Sequence, residues 1–290
     1  MIRALLVASR PLSWVNTAYP FAAAYLLGGG GGGGGRLDAT FVVGTVFFLI
    51  PYNLAMYGIN DVFDYESDLR NPRKGGVEGA LLRPAHHRAT LWTASLLPLP
   101  FVVYLVVVGS WVSDLVLAIS LFAVVAYSVA GLRFKERPFL DSLTSATHFV
   151  SPAVFGLALA GATPTWPLAA LLAGYVLWGC ASHAFGAVQD IEADRDAGIG
   201  SVATVIGTRC AVRLALVLYV AAGALLLATP WPGPLAAFLA LPYAANVAPW
   251  WSVSDADAAS ANRGWRRFLW INYATGFLVT LLLIWWALIR

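Results

Sequence analysis

Two clusters of carboxylates stand at the edges of apolar stretches. The first runs Asn60-Asp61-Val62-Phe63-Asp64-Tyr65-Glu66-Ser67-Asp68, and the second Asp190-Ile191-Glu192-Ala193-Asp194-Arg195-Asp196. Asn60, Asp64 and Asp68 recur every fourth position, as do Asp190 and Asp194, so on a helix each set stacks along one face. Stacked carboxylates repel one another and call for a cation. Oxygen-only ligands of this kind suit Mg²⁺, which takes one or two carboxylates together with substrate phosphates. The expected chemistry is departure of a diphosphate, with Mg²⁺ shared by the two clusters neutralising the leaving group. Departure from an allylic carbon leaves a resonance-stabilised cation, which a membrane cavity shields from water. A single Asp-x-x-x-Asp at a helix end is often only solvated. Two such clusters, each ending a helix on the same side of a membrane, argue for the metal.

The elements that must hold these groups are membrane helices. The chain has 290 residues, 59% of them hydrophobic and 11% charged, with mean hydropathy +0.72; soluble domains carry about twice that charge. The net charge of +3 is too small to suggest nucleic acid as a partner. Apolar stretches near the length of a bilayer crossing fall at roughly 12–27, 39–59, 90–109, 112–131, 143–161, 167–189, 211–228, 233–251 and 268–289. The expectation is an all-α, multi-pass membrane protein with nine transmembrane helices in a single domain, residues 1–290. Of the 18 basic residues, all but Arg36 and Arg290 fall at the N-terminus or in the loops after helices 2, 4, 6 and 8. By the positive-inside rule those loops, the N-terminus and both acidic clusters face the cytoplasm of a cell membrane. The clusters end helices 2 and 6, a spacing that suggests two similar halves with a ninth helix appended.

A third cytoplasmic segment, Tyr127-Ser128-Val129-Ala130-Gly131-Leu132-Arg133-Phe134-Lys135-Glu136-Arg137-Pro138, offers Arg133 and Lys135 as a diphosphate clamp; topological anchoring accounts for the same charges. Arg70, Arg73 and Lys74 follow the first cluster directly and either contact phosphate or balance the carboxylates. Among polar residues inside apolar segments, Asn16 and His148 are the candidates for a cavity lining; helix-to-helix hydrogen bonds explain most of the others. Gly28 to Gly35 is an unbroken glycine run, a connector that cannot hold a helix. Cys180 and Cys210 have no metal-ligand spacing. The first apolar stretch, broken by Pro11, Asn16 and Pro20, is expected to be retained rather than cleaved.

Asn60-Asp61-x-x-Asp64-x-x-x-Asp68 resembles the first signature of the UbiA superfamily of intramembrane prenyltransferases, and Asp190-x-x-x-Asp194 its second. Tyr127-Ser128 followed by Leu132 to Pro138 is similar to the loop after that family's fourth helix. Ser9 to Phe21, Ile50 to Asp61 and Asn71 to Gly79 resemble the lycopene elongase branch. The resemblance implies metal ligation by Asn60, Asp64, Asp68, Asp190 and Asp194 with help from Asp61, and diphosphate contacts from Lys135 and Arg133. It also implies transfer of a C5 unit from dimethylallyl diphosphate to the ends of lycopene, giving C45 and C50 carotenoids, with the acceptor arriving from the lipid bilayer. Prenylation of an aromatic or quinone precursor is the alternative within the family. A carrier of lipid diphosphates is the alternative of another class; a CDP-alcohol phosphotransferase is disfavoured because its motif spacing surrounds neither cluster.

Overall fold

The computed structural model describes residues 1–29, 37–69 and 81–289, and all regular structure among them is helical. Gly30 to Gly35, Arg36, Arg70, Arg73 and Lys74 lie outside the described residues. Among the described residues seven helices are long and apolar enough to cross a membrane: Ala39–Phe63, Pro84–Val108, Trp111–Ser128, Leu140–Leu159, Trp166–Val188, Thr208–Leu226 and Asp255–Leu288. Two of the nine expected spans differ among the described residues. The stretch near 12–27 forms a helix of 13 residues, preceded by a short 3₁₀ turn at Pro11–Ser13. The stretch near 233–251 is broken into Gly233–Leu239, Ala240–Val247 and Ala248–Trp250, the outer two 3₁₀. Pro232, Pro234, Pro242 and Pro249 explain the second case, since each removes a backbone donor from any longer ladder.

The chain packs as two compact units. Unit 1 comprises Met1–Phe134 and Thr147–Thr163. It holds α1 (Ile2–Ala8), α2 (Val15–Leu27), α3 (Ala39–Leu49), α4 (Pro51–Phe63), α5 (Tyr65–Asp68), α6 (Pro84–Leu96), α7 (Leu99–Val108), α8 (Trp111–Ser128) and α9 (Leu140–Leu159) from Thr147 onward. Its core is aromatic: Phe21, Phe47, Phe48, Tyr52 and Phe155 are fully buried, with ring centroids between 4.8 and 5.9 Å apart. Gly44 lets α3 close on α2, because a Cβ there would stand 2.1 Å from the Phe21 ring. Asp38 caps α3 by accepting the Phe41 N–H at 2.9 Å. Pro51 interrupts the ladder between α3 and α4. There the Asn53 amide and the Thr17 hydroxyl both donate to the Phe48 carbonyl, each at 2.7 Å.

Unit 2 comprises Lys135–Ala146 and Pro164–Arg290. It holds the first turns of α9, then α10 (Trp166–Val188), α11 (Ile191–Asp196), α12 (Val202–Ile206), α13 (Thr208–Leu226), α14 (Ala240–Val247) and α15 (Asn262–Leu288). Small residues permit the close helix approaches that membrane interfaces favour. A Cβ on Gly179 would stand 2.8 Å from that of Ala146, and one on Gly174 would stand 3.1 Å from the Ala222 carbonyl. Trp178, Tyr219, Tyr243, Trp265 and Phe268 form the aromatic centre. In both units the outward faces are apolar, as lipid requires: Val107 on α7 is 77% exposed and Trp270 on α15 is 77% exposed. Trp111 and Trp166, the first residues of α8 and α10, are 78% and 74% exposed.

Candidate active site

The first acidic cluster is built by one helix that bends without losing its ladder. α4 ends at Phe63, the backbone of Asp64 (φ −99°, ψ −1°) departs from ideal helix, and α5 resumes at Tyr65. The i to i+4 bonds continue through the bend: Asp64 N–H donates to the Asn60 carbonyl at 2.9 Å and Asp68 N–H to that of Asp64 at 2.8 Å. Asn60, Asp64 and Asp68 therefore do share a face. Asp61, Asp64 and Asp68 are all buried, which a carboxylate tolerates only with positive charge nearby.

Two arginines supply part of that charge. Arg133 Nη2 lies 3.7 Å from Asp64 Oδ1. Its approach follows from the end of α8, where Ser128 is succeeded by a turn and Arg133 takes a left-handed backbone, φ 39°. Ser128 Oγ donates to Asn60 Oδ1 at 2.9 Å, tying the same turn to the motif. Tyr127 stands next to it, its ring edge-on to His148 at 5.3 Å. The second arginine is Arg10, which sequence reasoning left as a topological charge. Arg10 Nη2 bonds Asp61 Oδ1 at 2.7 Å, and the guanidinium lies 4.3 Å from the centroid of the Tyr57 ring. Burial alone would lower the Arg10 pKa; Asp61, Tyr57 and Asp68 together outweigh it and the pKa is raised. The only sequence signal was a basic residue between two short apolar runs, followed by Pro11. Arg10 thus ties the N-terminal segment to Asp61, which lies one turn from Tyr57 and, three and seven positions before Asp64 and Asp68, on the same side of the helix as they do.

Unit 2 repeats the local construction. α10 ends at Val188, Asp190 takes φ −100° and ψ −4°, and α11 resumes at Ile191. Asp194 N–H donates to the Asp190 carbonyl at 2.8 Å. Asp190 and Asp194 are half-buried, more open than their counterparts Asp64 and Asp68. Lys135 belongs to unit 2 as well, half-buried in the Phe134–Glu136 turn before α9. Arg195 pairs with Asp255, which also accepts the Thr208 N–H at 3.1 Å, so it braces the acidic helix. Each cluster presents oxygen donors one helical turn apart, at a place where a helix bends. Among the described residues no three carboxylate, imidazole or thiol groups converge on one metal position; the oxygen-only set would suit Mg²⁺, which takes one or two carboxylates with substrate phosphates.

The model of the UbiA prenyltransferase family matches residues 17–274. The chain belongs to the UbiA prenyltransferase family. It is therefore an enzyme that transfers prenyl groups, and the carrier reading falls. Among curated relatives, the C(50) beta-cyclic carotenoids biosynthesis protein LbtBC of a Dietzia species is 58% identical over 290 residues, which is 100% of this chain and 66% of that one. The lycopene elongase/hydratase of Corynebacterium glutamicum is 52% identical over 283 residues, 98% of this chain and 97% of that one. Among solved structures, the UbiA homologue of Archaeoglobus fulgidus bound to GPP and Mg²⁺ superposes with TM-score 0.70 at 18% identity, over 94% of this chain and 99% of that one. At that identity the likeness is one of fold, and it makes the all-helical UbiA architecture plain.

Proposed function

We propose that this prenyltransferase moves the C5 unit of dimethylallyl diphosphate onto each end of lycopene, giving C45 and then C50 products, with its two units working as one membrane-embedded catalytic domain. The observation that carries the reading is the paired construction of the acidic bends, Asn60–Asp64–Asp68 in one unit and Asp190–Asp194 in the other. The strong identity to the two carotenoid relatives supports the acceptor, and the A. fulgidus homologue, solved with GPP and with DMAPP beside Mg²⁺, supports the donor class.

Asn60, Asp64 and Asp68 would hold Mg²⁺ in unit 1, and Asp190 and Asp194 in unit 2. Bound Mg²⁺ supplies the positive charge that makes diphosphate a good leaving group. Arg133 and Lys135 contact the diphosphate directly, and Tyr127 lines the approach to it. Asp61, held by Arg10, would assist the metal-binding carboxylates of unit 1. The terminal double bond of the acceptor attacks the allylic carbon, and the resulting tertiary cation loses a proton or captures water. The N-terminus and the acidic bends face the cytoplasm.

The test offers purified enzyme in lipid, with Mg²⁺ and dimethylallyl diphosphate, three acceptors: lycopene, a ring-ended carotene and a quinone-precursor benzoic acid. Lycopene is expected to react and the ring-ended carotene to fail, because its attacking double bond is gone. Prenylation of the benzoic acid with lycopene untouched overturns the acceptor.

A further inference from the structure

Unit 2 holds an acid–imidazole pair that diphosphate departure does not use. Asp141, in the first turn of α9, is fully buried. Its carboxylate is fixed by two backbone donors: Ser142 N–H to Oδ1 and Val202 N–H to Oδ2, both at 2.7 Å. His183 of α10 faces it, with Nδ1 3.9 Å from Asp141 Oδ2 and 3.1 Å from Ser142 Oγ. One side of the imidazole is thus oriented by a fixed carboxylate and a hydroxyl, the arrangement that sets a histidine's tautomer and steadies its cation. Ionisable groups inside a membrane helix are costly and as a rule functional. Yet the His183 side chain retains 18% of its surface, so it is not sealed in the core.

Its position along α10 gives the pair a purpose. His183 and Asp190 are seven residues apart, close to two full turns. His183 lies five residues before the end of α10, about 10 Å along the helix from the acidic bend. A prenyl donor held by its diphosphate at the acidic bend extends its carbon chain away from the carboxylates, toward the level of His183.

We infer that His183 is the base that resolves the cation formed after carbon–carbon bond formation, with Asp141 and Ser142 as positioning residues. This rests on the proposed transfer to lycopene. The C1–O bond of the donor breaks and its electron pair leaves with diphosphate. The π pair of the acceptor's terminal double bond forms the new bond to C1, leaving a tertiary cation. His183 Nε2 accepts a proton from a carbon next to that cation, and the C–H pair becomes the new double bond. On the hydration branch, water adds to the cation and His183 accepts the proton that water loses. The imidazolium then returns its proton to solvent, while the Asp141 carboxylate stabilises it.

The full chain in lipid tests this with His183→Gln, which keeps a polar contact to Ser142, and His183→Ala, assayed with Mg²⁺, dimethylallyl diphosphate and lycopene. Both variants are expected to keep donor KM within about twofold and to lower kcat by about a hundredfold, the usual contribution of a general base. The ratio of the product formed by proton loss to the hydrated product should shift, and added imidazole should restore part of the His183→Ala rate. Asp141→Asn should lower kcat less than His183→Ala. An unchanged kcat and product ratio in His183→Gln overturns the assignment. So does a loss of rate in both variants that tracks loss of donor binding and ignores imidazole, for then His183 only supports the fold. A wild-type enzyme that leaves lycopene untouched overturns the acceptor reading and the base with it. A wild type that converts lycopene beside an unaffected His183→Gln variant overturns the base alone.

Discussion

Arg10 reaches across 51 positions of the chain to Asp61, and the pairing fixes how the first motif tolerates change. Removing one partner of a buried ion pair leaves the other charged and desolvated, at a cost of about 3–5 kcal/mol. The Arg10 side chain keeps 18% of its surface, so the low end applies. Arg10→Ala should lower the unfolding free energy in detergent by about 3 kcal/mol. Arg10→Ala/Asp61→Asn together should cost less than the sum of the two single changes; strict additivity would show that the pair carries no coupling. Asp64 is the different case. Asp64→Ala, like Asp190→Ala, should abolish turnover at saturating Mg²⁺ while leaving the folded, inserted fraction unchanged; near-normal rates in either would defeat the metal reading. Lys135→Ala removes a charge-assisted contact worth about 1.5–3 kcal/mol, so donor kcat/KM should fall by about ten- to a hundredfold. Much of this was legible in the residues themselves. The every-fourth spacing placed Asn60, Asp64 and Asp68 on one face, and the backbone bonds through Asp64 bear that out. The Arg10–Asp61 and Asp141–Val202 contacts were not legible, because a pairing 51 or 61 positions away leaves no periodic trace.

Helices carry these groups only as well as they pack. α2 and α3 approach at Gly44, where any side chain meets the Phe21 ring, and α9 and α10 approach at Gly179 against Ala146. Gly44→Ala forces a fully buried aromatic ring to move, an overpacking cost of about 1–3 kcal/mol. A thermal melt in detergent should register the loss, and an unshifted midpoint would mean that Phe21 gives way freely. Long apolar stretches such as 112–131 and 167–189 were readable from hydropathy, since α8 and α10 need only length and apolarity. The stretch near 233–251 is apolar enough to cross, but its prolines divide it into 3₁₀ and α pieces, so no single helix of spanning length marks it. Asp64 and Asp190 share a backbone conformation to within a few degrees although their neighbours differ, so the likeness of the two acidic bends is clearer in backbone than in sequence.

At the scale of the molecule, the distribution of basic residues sets the proposed orientation. With Arg133 in the cytoplasm and Arg36 on the opposite face, cysteines placed at these two positions should label from opposite sides of sealed vesicles. Labelling from the same side would require a different number of crossings between them. The proposed acceptor sets a second expectation. Lycopene has no polar handle, so recognition rests on shape and buried area, where one methylene shifts binding by only about 1–3 kcal/mol. Linear carotenes with the same unmodified end group should therefore be converted at rates within about two orders of magnitude of lycopene, as competition assays would show.

The indoles that open α8 and α10 stand almost bare, Trp111 at 78% and Trp166 at 74% of full exposure. Rings of this kind settle at the boundary between headgroups and acyl chains. They are therefore built-in optical depth gauges. In bilayers carrying bromine at a shallow acyl position, their emission should be quenched more than in bilayers brominated near the chain ends. Trp111→Phe and Trp166→Phe should each remove part of that difference. The enzyme would then report its own seating in the bilayer by light, without a label attached anywhere near the chemistry.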